Sequence, residues 1–300
     1  MVSGWTSWSS SALLLGNLAS LDALAEEDEN QPLLSSAPTG QPFLAAEPQA
    51  LSTMTETPDS VRGISGHEPV YALLSGNWRG KGSYGLKFQF SLKYRLLNPD
   101  NAAHSVWWER FYLGYTQSSL MDLTTKSSPF HDSAYRPEVF WEQLPVVIFP
   151  RFKTFEGMRL GFGHESNGKA SLDSRSINIA YVRPVFSGLL GNHGQVWSFS
   201  PKVYGYLEKS DNPDIADYRG YGDFEFQVSR KDSWAWSAMV RQGMKNHGSI
   251  RLDASYPFRG LLRNLNGSLY LQYFNGYGET ILDYNRKQPS RVGFGLIVVR

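Results

Sequence analysis

The sequence predicts an all-β fold, a twelve-stranded antiparallel transmembrane β-barrel. Three observations lead there. Apolar and polar residues alternate in segment after segment from residue 82 onward, the period of a strand with two unlike faces. Many of these segments reach about 9–11 residues, the length a tilted strand needs to cross a bilayer. Aromatic residues make up 14% of the chain, with 9 Trp, 16 Tyr and 17 Phe, and recur on the apolar faces, as at Trp234 and Trp236. A soluble β-sandwich shares the alternation, but strand length and aromatic placement favour the barrel.

The N-terminal part has a different character. Ala12 to Leu15 form a short apolar core, and Ala23-Leu24-Ala25 precedes an acidic cluster, so residues 1–25 are expected to be an export signal. Residues 26–81 read as a linker, rich in Pro, Ser, Thr and Ala over its first part and without sustained periodicity. The barrel is expected over 82–300. Its first strand is the clearest: Leu86, Phe88, Phe90, Leu92 and Tyr94 alternate with Lys87, Gln89, Ser91 and Lys93. Further strands are expected at 105–116, 136–148, 159–166, 178–185, 195–207, 218–229, 233–241, 248–256, 267–275, 280–284 and 291–299. Twelve is an even number, as single-chain bacterial barrels have.

Composition excludes several classes. The chain has no Cys, so it has no disulfides, thiolate metal sites or Cys nucleophile. A net charge of +1 makes no case for nucleic acid. No run of about 18 apolar residues is present, which argues against a helical span but says nothing of a barrel. Gly163 to Lys169 approaches a phosphate-binding loop, yet Ala170 stands where Ser or Thr is required. The acidic run Asp211-Asn212-Pro213-Asp214 lacks the Gly and terminal Glu of an EF-hand and reads as a solvent turn.

One stretch carries chemistry. Leu160, Phe162, His164 and Ser166 occupy every second position and share a strand face, so His164 and Ser166 continue an apolar stripe. If 178–185 is the neighbouring strand, Asn178 comes within reach of the imidazole. Ser166 then attacks, His164 takes its proton and Asn178 orients the ring. A nucleophile on the apolar side of a barrel strand would meet lipid directly. Taken alone, a His-x-Ser pair is more often a polar couple at a strand end.

The segments HESNG (164–168) and SRSIN (174–178) resemble the active-site segment of the outer membrane phospholipase A family. The likeness extends through KFQFSL (87–92), YTQ (115–117), SSPF (127–130), YRPEVF (135–140), DNPDI (211–215), GYGE (276–279), LDYN (282–285) and RVGFG (291–295). The resemblance implies a bacterial outer membrane enzyme that hydrolyses phospholipid acyl esters, with Ser166, His164 and Asn178 as its triad. It implies Ca²⁺ held by the Ser174 hydroxyl, the Lys169 main-chain carbonyl and Ser127 of a partner subunit. The oxyanion would be met by backbone N–H groups, with Ser166 and Gly168 as candidates, and by calcium-bound water. It also implies an active homodimer with Gln117 in its interface, although Gln117 could instead point into the lumen. Lys169 and Ile177 depart from the family's more usual Arg and Trp. The competing expectation is a non-enzymatic, porin-like barrel.

Overall fold

The computed structural model describes residues 63–77, 84–97, 107–143, 154–258 and 267–299. The expected export signal (1–25) and most of the expected linker lie outside the described residues. The described residues form a closed antiparallel ring of twelve strands, preceded by a two-residue strand, β1 (Ile64–Ser65), which pairs with Tyr94 and Lys93. The ring runs β2 (Val70–Asn77), β3 (Gly85–Arg95), β4 (Phe111–Asp122), β5 (Phe130–Gln143), β6 (Phe155–Ser166), β7 (Ser176–Leu190) and β8 (Gln195–Glu208). It continues with β9 (Gly222–Arg230), β10 (Ala235–Gln242), β11 (Gly248–Pro257), β12 (Ser268–Tyr277) and β13 (Lys287–Val299). Sequence neighbours pair throughout, and β13 closes on β2 with Phe294 opposite Leu74. Closure removes the unpaired edge that lipid cannot satisfy.

The expected strand count is met, but one member differs. Residues 280–284 are a turn, and β2 takes the vacant place from within the stretch assigned to the linker. The reason lies in the side chains. Tyr71 and Leu73 point inward and pack with Tyr270 and Ile297, while Leu74 points outward, so β2 is apolar on both faces and its alternation is hidden. Conversely, Ile281 and Tyr284 are buried against Ala134, Ile177 and Ile215, where the β12–β13 loop folds over the mouth of the barrel. A short helix, α1 (Ile215–Arg219), occupies the start of the strand expected at 218–229. Strands β4 and β5 sit about six residues later and earlier, respectively, than expected. Pro137 is accommodated in β5 where its pairing with β6 skips from Tyr135 to Glu138.

Inside, polar groups find partners across the ring. Arg159 donates to Glu142 at 2.9 and 2.5 Å, and Arg183 donates to Glu68 and Glu225 at 2.9 and 2.8 Å. Arg241 meets Asp223 at 2.7 and 3.0 Å. Between β1 and β2 the chain turns inward. His67 there contacts Glu138 at 2.6 Å and stacks on Phe140, and Glu68 lies within 3.4 Å of Arg159. Buried charges are tolerated at this depth only when paired in this way.

Candidate active site

Strands β6 and β7 form a hairpin whose register sets His164 opposite Asn178 and Ser166 opposite Ser176. Parity along β6 then decides which way each side chain faces. Arg159 and Glu165 turn into the barrel, Glu165 to an ion pair with Arg219 at 3.1 Å. Leu160 and Phe162 turn outward and are 42% and 58% exposed. His164 and Ser166 share their parity, so both stand on the lipid-facing side beside an apolar stripe.

His164 Nδ1 lies 2.7 Å from Asn178 Oδ1. An amide oxygen only accepts, so Nδ1 carries the proton and Nε2 keeps its lone pair. That is the tautomer a general base needs to receive a proton from Ser166, one strand position pair further along the same face.

Strand β6 ends in the loop 167–175, which carries Gly168, Lys169 and Ser174. Gly168 has φ +65°, and a Cβ there would come within 3.1 Å of the Tyr135 ring. Lys169 Nζ donates to the His131 carbonyl at 2.9 Å. Ser174 Oγ donates to Asp211 Oδ2 at 2.8 Å, and Ser176 Oγ reaches the same oxygen at 3.2 Å. Ser127 sits on a different, exposed loop between β4 and β5 with φ +74°. Among the described residues no cluster of three His, Asp or Glu side chains is placed to hold a metal. The oxygen donors present, a hydroxyl beside a carboxylate, nonetheless suit a hard cation such as Ca²⁺.

Gln117 faces outward. Its neighbour Ser118 binds Gln89 inside the barrel at 2.8 Å, and Gln117 itself accepts from Tyr115 at 3.0 Å and donates to Ser119 at 3.3 Å. The lumen-facing alternative is therefore corrected. Register places Gln117, Tyr135 and Ser166 in one row across β4, β5 and β6. Two residues of this neighbourhood escaped the sequence reading. Tyr135 sits in the quoted motif YRPEVF, but its position depends on strand pairing. Asp211 lies in an exposed turn, as the sequence predicts, and from there its carboxylate accepts from Ser174 and Ser176.

A closed antiparallel barrel with a hydroxyl, an imidazole and an amide on its lipid side defines a class: an outer membrane barrel with a hydrolase-type site. Comparison with known proteins narrows it. The family model for phospholipase A1 matches residues 64–298, and the chain belongs to that family of ester hydrolases. Phospholipase A1 of Escherichia coli K12 is 32% identical over 225 residues, covering 71% of this chain and 69% of that protein. A putative phospholipase A1 of Neisseria meningitidis is 35% identical over 191 residues, covering 62% of this chain; the chain spans 48% of that relative's length. An active-site mutant of outer membrane phospholipase A from Escherichia coli superposes with a TM-score of 0.65 at 26% identity, covering 82% of this chain and 94% of that one. The outer membrane phospholipase of Salmonella typhi, solved as a dimer with bound calcium, gives the same TM-score and identity over 78% and 91%. The barrel is of the outer membrane type these proteins share.

Proposed function

We propose that this chain is a calcium-dependent phospholipase that hydrolyses both acyl esters of membrane phospholipids and the remaining ester of lysophospholipids. The observation that carries the reading is the 2.7 Å contact between His164 and Asn178 on the lipid-facing side, with Ser166 on the same face. Ser166 Oγ attacks the ester carbonyl while His164 Nε2 takes its proton. The imidazolium then returns that proton to the leaving alcohol oxygen, which departs as lysophospholipid or glycerophospho-alcohol. Water, deprotonated by His164, attacks the acyl-Ser166 ester and releases the fatty acid. Asn178 holds the ring but adds no negative charge beside it. The N–H groups of Ser166 and Gly168 are the candidate donors to the tetrahedral oxyanion. Ca²⁺, when held by the Ser174 hydroxyl and the Lys169 carbonyl, with Ser127 of a partner subunit, supplies positive charge near that oxygen.

The active form in this reading is a homodimer joined through the outward row that contains Gln117. A polar side chain at membrane depth gains by meeting a second copy of itself across a two-fold axis. The inward-turned segment, whose Glu68 pairs with Arg159 and Arg183 of the wall, counts against the porin-like alternative.

The test is fatty-acid release from phospholipid–detergent mixed micelles, with calcium or chelator, by the wild type and Ser166→Ala. Calcium-dependent release that disappears in the variant is expected. Release by a folded Ser166→Ala protein would overturn the triad, and no release by a folded wild type would return the barrel to the porin-like class.

A further inference from the structure

We propose that Asn167, the residue between Ser166 and the turn glycine, is a positioning residue whose buried carboxamide shapes the loop 167–175 over the site. The inference deepens the hydrolase reading above and rests on it. Asn167 is only 4% exposed, although the two loop residues that follow it, Gly168 and Lys169, are exposed and half-buried. Its side chain uses both ends. Oδ1 accepts from the backbone N–H of Arg175 at 3.0 Å and of Lys169 at 3.3 Å, and Nδ2 donates to the Asp173 carbonyl at 2.8 Å. Its own backbone N–H donates to the Arg175 carbonyl at 3.1 Å, so the loop closes as a ring on this one residue.

The contacts lie where the chemistry needs them. The Lys169 N–H bonded to the Asn167 side chain closes an Asx turn across Gly168, so the 167–168 peptide, which carries the Gly168 N–H, is held between Asn167 and Lys169. The same contact orients the residue whose carbonyl is assigned to the cation. Bonding Asp173 and Arg175 on either side of Ser174 fixes that hydroxyl toward Asp211. Among the described residues, no other side chain bonds to both limbs of the loop in this way. The carboxamide therefore couples the oxyanion donor to the cation ligands: neither can shift without breaking a bond to Asn167. An acceptor on one side and a donor on the other is a demand that neither an ionised Asp nor a Leu at this position meets.

The test uses the refolded full chain in detergent with Asn167→Ala and Asn167→Asp, read by fatty-acid release across calcium concentration. Asn167→Ala is expected to fold, since the loop lies beyond the barrel wall. It should lose kcat by about 10²-fold, as for removal of one oxyanion donor, and need about tenfold more calcium, as for loss of a ligand-orienting partner. Asn167→Asp keeps both acceptor contacts but sets a carboxylate oxygen against the Asp173 carbonyl. That repulsion opens the loop, so this variant too should lose activity and need more calcium than the wild type. A second readout is calorimetric calcium binding to Ser166→Ala with and without Asn167→Ala, where no turnover is involved. Asn167→Ala with wild-type kcat and calcium midpoint would overturn the proposal, as would Asn167→Asp that matches the wild type in both. If the wild type itself releases no fatty acid, the hydrolase reading fails. Amide exchange in 168–175 then decides the point, with unchanged exchange in Asn167→Ala also overturning it.

Discussion

Replacing Asn178 by Ala removes one hydrogen bond from the proposed triad, and the structure sets how much that should matter. The bond joins two neutral groups, an imidazole N–H and an amide oxygen, at 2.7 Å on a half-buried outer surface. A hydrogen bond of this kind is worth about 0.5–1.5 kcal/mol net. At 1.36 kcal/mol per tenfold in rate, kcat should fall by roughly 2- to 13-fold. The loss of about 10⁴-fold on the Asp-to-Asn exchange in a serine protease arises because the imidazole is left in the wrong tautomer; here Asn178 presents its oxygen to Nδ1, so the tautomer is already the productive one. Asn178→Asp keeps the acceptor and should stay close to wild type. The assay is initial-rate fatty-acid release at saturating calcium, with KM followed separately because Asn178 is not assigned to substrate. A loss of about 10³-fold or more would show that Asn178 does more than hold the ring. An unchanged kcat would show that the ring is held by something else, and the reasoning from the 2.7 Å contact would fail.

Phe140→Ala should destabilise the barrel by about 3–5 kcal/mol. The ring is 1% exposed, stacks on His67 and Tyr112 at 5.0 and 5.4 Å, and carries the Arg159 guanidinium 4.5 Å from its centroid. Urea-dependent refolding into detergent measures this, and a shift below about 1 kcal/mol would contradict the role given to this interior cluster. Asp211→Asn keeps an acceptor for Ser174 but removes the charge, so the calcium needed for half-maximal activity should rise by about tenfold with kcat at saturation little changed. An unchanged midpoint would separate Asp211 from the cation. The loop residue Asp283 is held below its ordinary carboxyl value by the hydrogen bond from His131 at 2.7 Å. Its folded-state pKa lies below the unfolded one, so its contribution is complete above about pH 4 and is lost as pH falls through the lowered value. Asp283→Asn should therefore lower stability at neutral pH, where the contribution is complete, and flatten the acid limb of the stability profile in that window.

Sequence alone determined the features that depend on neighbours along the chain. Alternation in 86–94 and 160–166 assigns faces, because successive strand side chains are forced to opposite sides of the backbone. Hence His164 and Ser166 could be placed beside Leu160 and Phe162 before any strand was paired. Asn178 is reachable for the same reason: only the short loop 167–175 separates its strand from that of His164. Tertiary structure decided what depends on the ring. β2 is invisible in the pattern because its inner face meets apolar residues of β12 and β13, almost two hundred residues away. Residues 280–284 alternate like a strand, yet they fold over the mouth because Ile281 and Tyr284 find a buried pocket there. The outward direction of Gln117, the contact of His67 with Glu138 and the reach of Asp211 to Ser174 likewise rest on partners brought together by closure. Local sterics write the faces of a strand into the sequence. Which groups share a face across the barrel is set by strand register, which only the closed ring defines.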